Sequence, residues 1–362
     1  QTCGQCHSVF DFFDDQDKAE FNQTGFTFRP GDNLRDSRHI FQMGKDEEAL
    51  IVQRTLKRNP KFYERQFWSD GMVRVSGREY NGLLETACYQ HGTMSCLSCH
   101  EMHPGSSDPN SLSGWADDQL KPGMRGNESC LQCHDEYRSE AELVGHTHHA
   151  ATSTGSNCYN CHMPHTTLGL MKAMRSHTVD SPDVAATLAT GRPNACNLCH
   201  LDQTLAWTSS RLSEWYDIPA PALSKEESQI ASSVRWILRG DAGQRAIAGW
   251  HYGWEPAQQA SGTDWMAPYL AELLADDYDV VRFIGYHSLT DMPGYSGFEY
   301  DFVGSVESRQ KGKLQAETIW ENWLPRPEPN GSLLIDSQGS LLENAFDRMR
   351  KERSNKRVIL IE

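Results

Sequence analysis

Ten of the eleven cysteines fall into one repeated pattern, C-x-x-C-H. It occurs at Cys3–Cys6–His7, Cys96–Cys99–His100, Cys130–Cys133–His134, Cys158–Cys161–His162 and Cys196–Cys199–His200. Two thiols at this spacing, followed at once by an imidazole, suit covalent haem attachment. The thiols add across the two vinyl groups and the histidine approaches the iron from the proximal side. The expectation is five covalently bound haem c groups, with the ten cysteines as attachment points and His7, His100, His134, His162 and His200 as proximal ligands. A redox C-x-x-C needs one motif in a βαβ setting. A zinc ribbon pairs two knuckles without the adjoining histidine. A disulfide framework would not repeat one spacing so strictly.

Each iron takes a second axial ligand unless it is to bind substrate. The chain has 15 histidines, so ten lie outside the motifs, and eight of these fall between positions 39 and 177. That density points to distal ligation, with His39, His103, His146, His149 and His177 as first candidates and His91, His148 and His165 as alternates. His103, three residues beyond His100, points away from its own haem and towards a neighbour. His146 and His149 are three apart and share a helix face, which leaves His148 as a hydrogen-bonding partner. His177 lies between the fourth and fifth motifs and can serve either. His39 and His91 compete for a remaining iron. His251 and His287 lie on later helices and read as structural. Cys88, the eleventh cysteine, is either an axial thiolate or a small buried apolar side chain. Arg125, Lys172, Arg175 and Arg192 lie near the motifs and could pair with haem propionates.

The elements that must position these groups divide the chain in two. Residues 1–204 carry every motif. The haem-free stretch 8–87 shows Gly/Pro/Asp turns, one helix-like segment at 46–57 and an alternating run at 71–76 that suits a short strand. It is expected to wrap the first haem and to supply ligands to others. After His200 the pattern becomes helical: 205–216, 226–239, 244–252, 265–275 and 279–289 read as amphipathic helices. Residues 291–331 read as an irregular wrap and 340–353 as a last helix. The fold class expected is mainly α with much irregular structure, a haem-packed domain at 1–204 followed by a small helical domain at 205–362. The run LAELLADDYDVVRFIGYHSL resembles a HEAT repeat, with a weaker match at 232–249.

Only 38% of the 362 residues are hydrophobic and the mean hydropathy is −0.63. Porphyrins would replace the missing apolar bulk. The formal net charge of −15 argues against nucleic-acid binding, which wants a basic face, and suits steering towards basic redox partners. No apolar run reaches the 18 or more residues of a membrane span. Haem attachment of this kind takes place outside the bacterial cytoplasm, so an exported protein, periplasmic or at the cell surface, is expected. The first motif begins at the third residue, which suggests a processed or truncated chain.

The segments MSCLSCHEMHPG, HTHHAATSTGSNCYNCHMPHTT, RSHTVDSP and GRPNACNLCH resemble the bacterial multihaem c-type cytochromes with doubled CXXCH motifs. GDAGQRAIAGWHYGW and the HEAT-like pair resemble a subset with a helical-repeat C-terminal domain. The resemblance covers most of residues 71–290. It implies an electron-transfer protein in which His103, His177 and one or two of the HTHH histidines are distal ligands. Partners would be other cytochromes, further copies of the chain or a membrane-bound quinol-oxidising complex. Two other readings stand beside it. One is an enzyme acting on nitrite, hydroxylamine or a sulfur oxyanion at an iron with an open site. The other is an assembly subunit working through the helical domain.

Overall fold

The computed structural model describes residues 1–102, 118–354, 356 and 358. Helices dominate, and among the described residues the strands form two short antiparallel pairs. One pairs Phe10–Asp11 with His39–Ile40, and the other pairs Thr167–Gly169 with Lys172–Met174.

The C-terminal half is built from two helix hairpins. Ser232–Arg239 packs on Ala242–Tyr252, and Ala267–Leu274 packs on Asp279–Thr290. The hairpins then stack, first helix on first and second on second. Apolar spacing drives this. Val234, Ile237 and Leu238 fall on one face of the first helix, and Val280, Val281, Ile284 and Leu289 on one side of the last. Asp241 starts its helix with a capping box shared with Gln244. Arg245 clamps Asp276 through two hydrogen bonds, Nε to Oδ2 at 2.6 Å and Nη2 to Oδ1 at 3.0 Å. Side-chain exposure is 4% for Arg245 and 0% for Asp276. Arg353 bonds Glu272 at 2.8 Å, Lys313 bonds the other oxygen of Glu272, and together they tie the C-terminal segment onto the stack.

Several sequence expectations need correction here. The stretch expected to wrap irregularly contains the helix Val306–Glu321. Its buried face is a narrow stripe of Gly312, Lys313, Ala316 and Trp320, with charged residues elsewhere, so apolar periodicity hardly registers. The helix expected over 226–239 is two, Lys225–Gln229 and Ser232–Arg239. They are broken where Ile230 and Ala231 turn extended and Ala231 bridges to Thr204. The run at 71–76 forms isolated bridges, Val73 to Phe67 and Val75 to Leu168. The stretch 8–87 holds four α-helices: Asp15–Thr24, Leu50–Arg58, Phe62–Gln66 and Glu79–Leu84.

The main apolar core runs through the C-terminal helices and reaches Trp68, Met72, Leu168, Leu198 and Leu201 of the motif-bearing half. Arg74 strengthens this junction with a 2.5 Å bond to Asp241 and a cation–π contact to Trp68. The remaining motif-bearing residues bury their apolar side chains in small separate clusters. None of the ten motif cysteines is buried.

Candidate functional site

Each C-x-x-C-H segment folds as a single helical turn, at Cys3–Gln5, Cys96–Cys99, Glu128–Leu131, Cys158–His162 and Ala195–Cys199. A helical turn brings residues three apart onto one face, so the two thiols of a motif point the same way. In four motifs the histidine N–H closes the turn by donating to the first cysteine's carbonyl: His7 to Cys3, His100 to Cys96, His134 to Cys130 and His200 to Cys196, at 2.8–2.9 Å. Local capping starts the turns. Asn194 accepts from the Cys196 N–H, and Ser95 and Ser98 form a reciprocal box before Cys96. Asn127 precedes the third motif, yet its Oδ1 accepts from the Cys158 N–H of the fourth, which locks the two motifs together.

Consecutive motifs are neighbours in chain order. Cys3 lies close enough to Cys96 to raise its pKa. Gln132 of the third motif donates Nε2–H to the Ser98 carbonyl of the second at 3.5 Å. The Asn127 bond joins the third to the fourth, and the Cys158–His162 and Ala195–Cys199 turns of the fourth and fifth pack on each other.

Three of the motif histidines face a second imidazole. Ring centres are 6.3 Å apart for His100 and His177, 6.0 Å for His146 and His162, and 5.9 Å for His149 and His200, with planes inclined by 22°, 8° and 27°. That is too far for face-to-face contact. Two imidazoles bound through Nε2 to one metal, at about 2 Å each, place their ring centres about 6 Å apart. The donor set thus fits one iron between each pair. In four of the six rings Nδ1 is engaged, which leaves Nε2 to face the partner ring. His100 donates to the Asp118 carbonyl (3.0 Å), His162 to that of Asp180 (2.9 Å), His149 to that of Thr147 (2.6 Å) and His177 to that of Arg175 (3.3 Å). Such second-shell bonds fix tautomer and ring orientation. Burial lowers the pKa of His146, His177 and His200, which favours the neutral, ligating imidazole. Gly155 is required here, because a Cβ there would lie 2.2 Å from the His149 ring.

His7 and His134 are held by carboxylates instead. His7 Nδ1 donates to Glu79 Oε2 at 2.6 Å and His134 Nδ1 to Glu136 Oε1 at 3.3 Å. Burial alone would raise the Glu79 carboxyl, but the His7 bond and a backbone N–H outweigh burial and bring it down to about 2.

The other sequence candidates separate cleanly. His39 lies on its strand against Phe41, and its buried Nε2 has no hydrogen-bond partner, as befits a ligand nitrogen. His103 lies outside the described residues. His91 is exposed at the end of the Ala87–Gln90 helix. His148, expected as a hydrogen-bonding partner, stacks on Trp215 with centres 4.3 Å apart. It ends the Glu140–Thr147 helix in the left-handed region. His165 packs against Trp250, Trp254 and His251, and burial pushes its pKa down to about 2. His287 is exposed beside Phe283. Cys88 is half-buried. Of the cations, Arg192 pairs with Asp70 and Asp180, Arg125 pairs with Asp118, and Arg175 holds the Tyr159 and Met163 carbonyls. Lys172 is exposed on its hairpin.

Sequence reasoning missed Glu79. It stands 72 residues from His7, and a carboxylate opening a helix carries no motif of its own.

Residues 90–139 match the family model described as the doubled CXXCH motif. No curated protein matches the chain. Among solved structures, the outer cell wall cytochrome OcwA is similar at 17% identity and a TM-score of 0.37, over 88% of this chain and 64% of that one. The chain thus spans under two thirds of that protein's length. Among the described residues, no helix is long and apolar enough to cross a membrane.

Proposed function

We propose, for this multihaem c-type cytochrome, that its five motifs hold five haem c groups in a single row and that the protein carries electrons along it. The observation that supports this most directly is that each motif neighbours the next in chain order, with the second joined to the third through Gln132 and Ser98, the third to the fourth through Asn127 and Cys158, and the fourth packed on the fifth. Each bound haem supplies a one-electron iron couple. The chain's own residues do the rest. The cysteine pairs fix each group to a helical turn. His100 with His177, His162 with His146 and His200 with His149 supply both axial nitrogens to the second, fourth and fifth positions. His7 and His134 are the proximal ligands of the first and third, with His39 and His103 as candidates for distal positions.

The helical half buttresses one end of the row. Cys199 lies 3.8 Å from the Pro256 carbonyl, and Ser261 bonds the Cys199 carbonyl and the Leu201 N–H. The stacked hairpins, in a HEAT-like arrangement, would then leave the first motif as the open end for a redox partner. Such a partner could be another cytochrome, a second copy or a quinol-oxidising complex. The chemistry of attachment supports an exported protein, periplasmic or at the cell surface.

The test is low-temperature EPR of the oxidised protein, with haem counted by mass and by pyridine haemochrome in the same sample. Five haems with low-spin signals alone are expected of a carrier. A stoichiometric high-spin signal that shifts with nitrite, hydroxylamine or sulfite would overturn the carrier reading.

A further inference from the structure

We propose that Glu79 sets the haem of the first motif at the most reducing potential in the row, by accepting the Nδ1 proton of His7. The inference rests on His7 being that haem's proximal ligand. Glu79 would be a positioning residue acting through His7.

The contrast among the motifs carries the argument. His100 and His162 give their Nδ1–H to neutral backbone carbonyls. His7 gives it to a carboxylate at 2.6 Å. A carboxylate in this position draws the proton and makes the imidazole a stronger donor. A stronger axial donor and a nearby negative charge both favour the ferric over the ferrous iron, which lowers the potential. His134 also has a carboxylate, but at 3.3 Å, and both of its partners are open to water, at 53% and 60% exposure. Solvent screens that pair. The His7 side chain is just as open, at 56%, but the Glu79 carboxylate that takes its proton is 25% exposed and the bond is shorter by 0.7 Å.

The chain also builds a seat for Glu79. Its other oxygen accepts the Gly77 N–H at 2.9 Å. Gly77 sits at φ +73°, a conformation that glycine adopts at little cost. The next residue, Tyr80, donates its N–H to the His7 carbonyl at 2.9 Å. Backbone and side chain thus grip His7 from the same helix start. The most reducing position in a row passes electrons to the others, so the first motif would be where an external donor delivers them.

The experiment is a spectroelectrochemical titration of the holoprotein beside three variants: Glu79→Gln, Glu79→Asp and the pair Cys3→Ala/Cys6→Ala. The paired variant should lose one haem, and with it the most negative midpoint of the wild type. Glu79→Gln keeps a hydrogen-bond acceptor and removes the charge. It should raise that midpoint by at least 59 mV, tenfold in the one-electron equilibrium constant, with all haems retained. Glu79→Asp should fall between. An unmoved midpoint in Glu79→Gln at full haem content overturns the proposal. So does loss of any other midpoint in the paired variant, which decides the matter even where Glu79→Gln does not fold. A paired variant that loses no haem refutes instead the reading of the first motif as an attachment site.

Discussion

The two halves of the molecule hold themselves together in different ways. In the helical half one apolar core runs from Ala231 to Val358, sealed by the buried Arg245–Asp276 pair. In the motif-bearing half the buried apolar residues break into small groups, such as Val9, Phe41, Ile51, Val52, Phe67 and Val73, or Phe28, Leu34, Ile40, Tyr80 and Leu83. The motif turns lie between and beside them, with cysteines that are half-buried or exposed. The lesson concerns where the folding free energy resides. Side chains supply it in one half, at about 25 cal/mol per Å² of apolar surface buried. In the other half the small clusters leave more of it to be supplied by bound haem, and that is open to test.

The largest effect that would test this contrast is removal of the haems altogether. Chain made without haem attachment should keep hydrogen-exchange protection in the helices between Ser232 and Lys351. The turns from Cys96 to Cys161 should lose theirs. The hairpin Thr167–Met174 packs on the Ala242–Tyr252 helix and should stay partly protected. Equal protection of both halves in the haem-free chain would break the comparison.

A smaller, local effect follows from the ring pairs. Replacing His146, His149 or His177 with alanine should turn one low-spin haem high-spin in each case. His148→Ala should leave the EPR unchanged, because that ring stacks on Trp215. A high-spin signal in His148→Ala, or none in the other three, would redraw the ligand set.

The sequence displayed the motifs in full, because covalent attachment demands a fixed local spacing. It displayed the helix 205–216 to the residue, because four buried positions recur on one face. Distal partners were legible only as a pool. Which imidazole faces which depends on contacts such as His149 to His200, 51 residues apart, and no local pattern encodes these. The Val306–Glu321 helix stayed hidden because its contact with the stack is one narrow stripe. Glu79 stayed hidden because its meaning comes from His7 at the far end of the fold.

The helical half can be challenged without touching a haem. Asp276 is fully buried and takes both forks of Arg245, while Arg353 approaches at 3.5 Å. Asp276→Asn leaves buried guanidinium charge uncompensated, at a cost of about 3–5 kcal/mol. Guanidinium denaturation followed at 222 nm should show that loss, with the haem EPR and midpoints of the folded protein unchanged. A loss below 1 kcal/mol would mean that water or relaxation satisfies Arg245, and that the core rests on apolar contact alone.

The gentlest probe is pH, because burial keeps histidines neutral in both halves and only one half has motifs to add iron ligation. In the motif-bearing half burial lowers His146, His165, His177 and His200, and iron ligation would add to it. In the helical half burial acts on His251 alone. His251 is 1% exposed and donates Nδ1–H to the Ile247 carbonyl at 2.7 Å. Its ring packs edge-on to Trp250, Trp254 and His165. Burial, with Arg175 adding to it, outweighs that hydrogen bond and brings its pKa down to about 3. The unfolded chain protonates this group near 6.5, so between pH 6.5 and 3 the unfolded state binds the extra proton. Stability therefore rises with pH across that window and is lost as pH falls. One such group contributes a slope of about 1.4 kcal/mol per pH unit. His251→Leu should remove that slope from urea denaturation measured between pH 6 and 4.5, whatever its cost at pH 7.5. An unchanged slope would place the acid sensitivity in the motif-bearing half, where protons would compete with iron for the proposed ligand nitrogens.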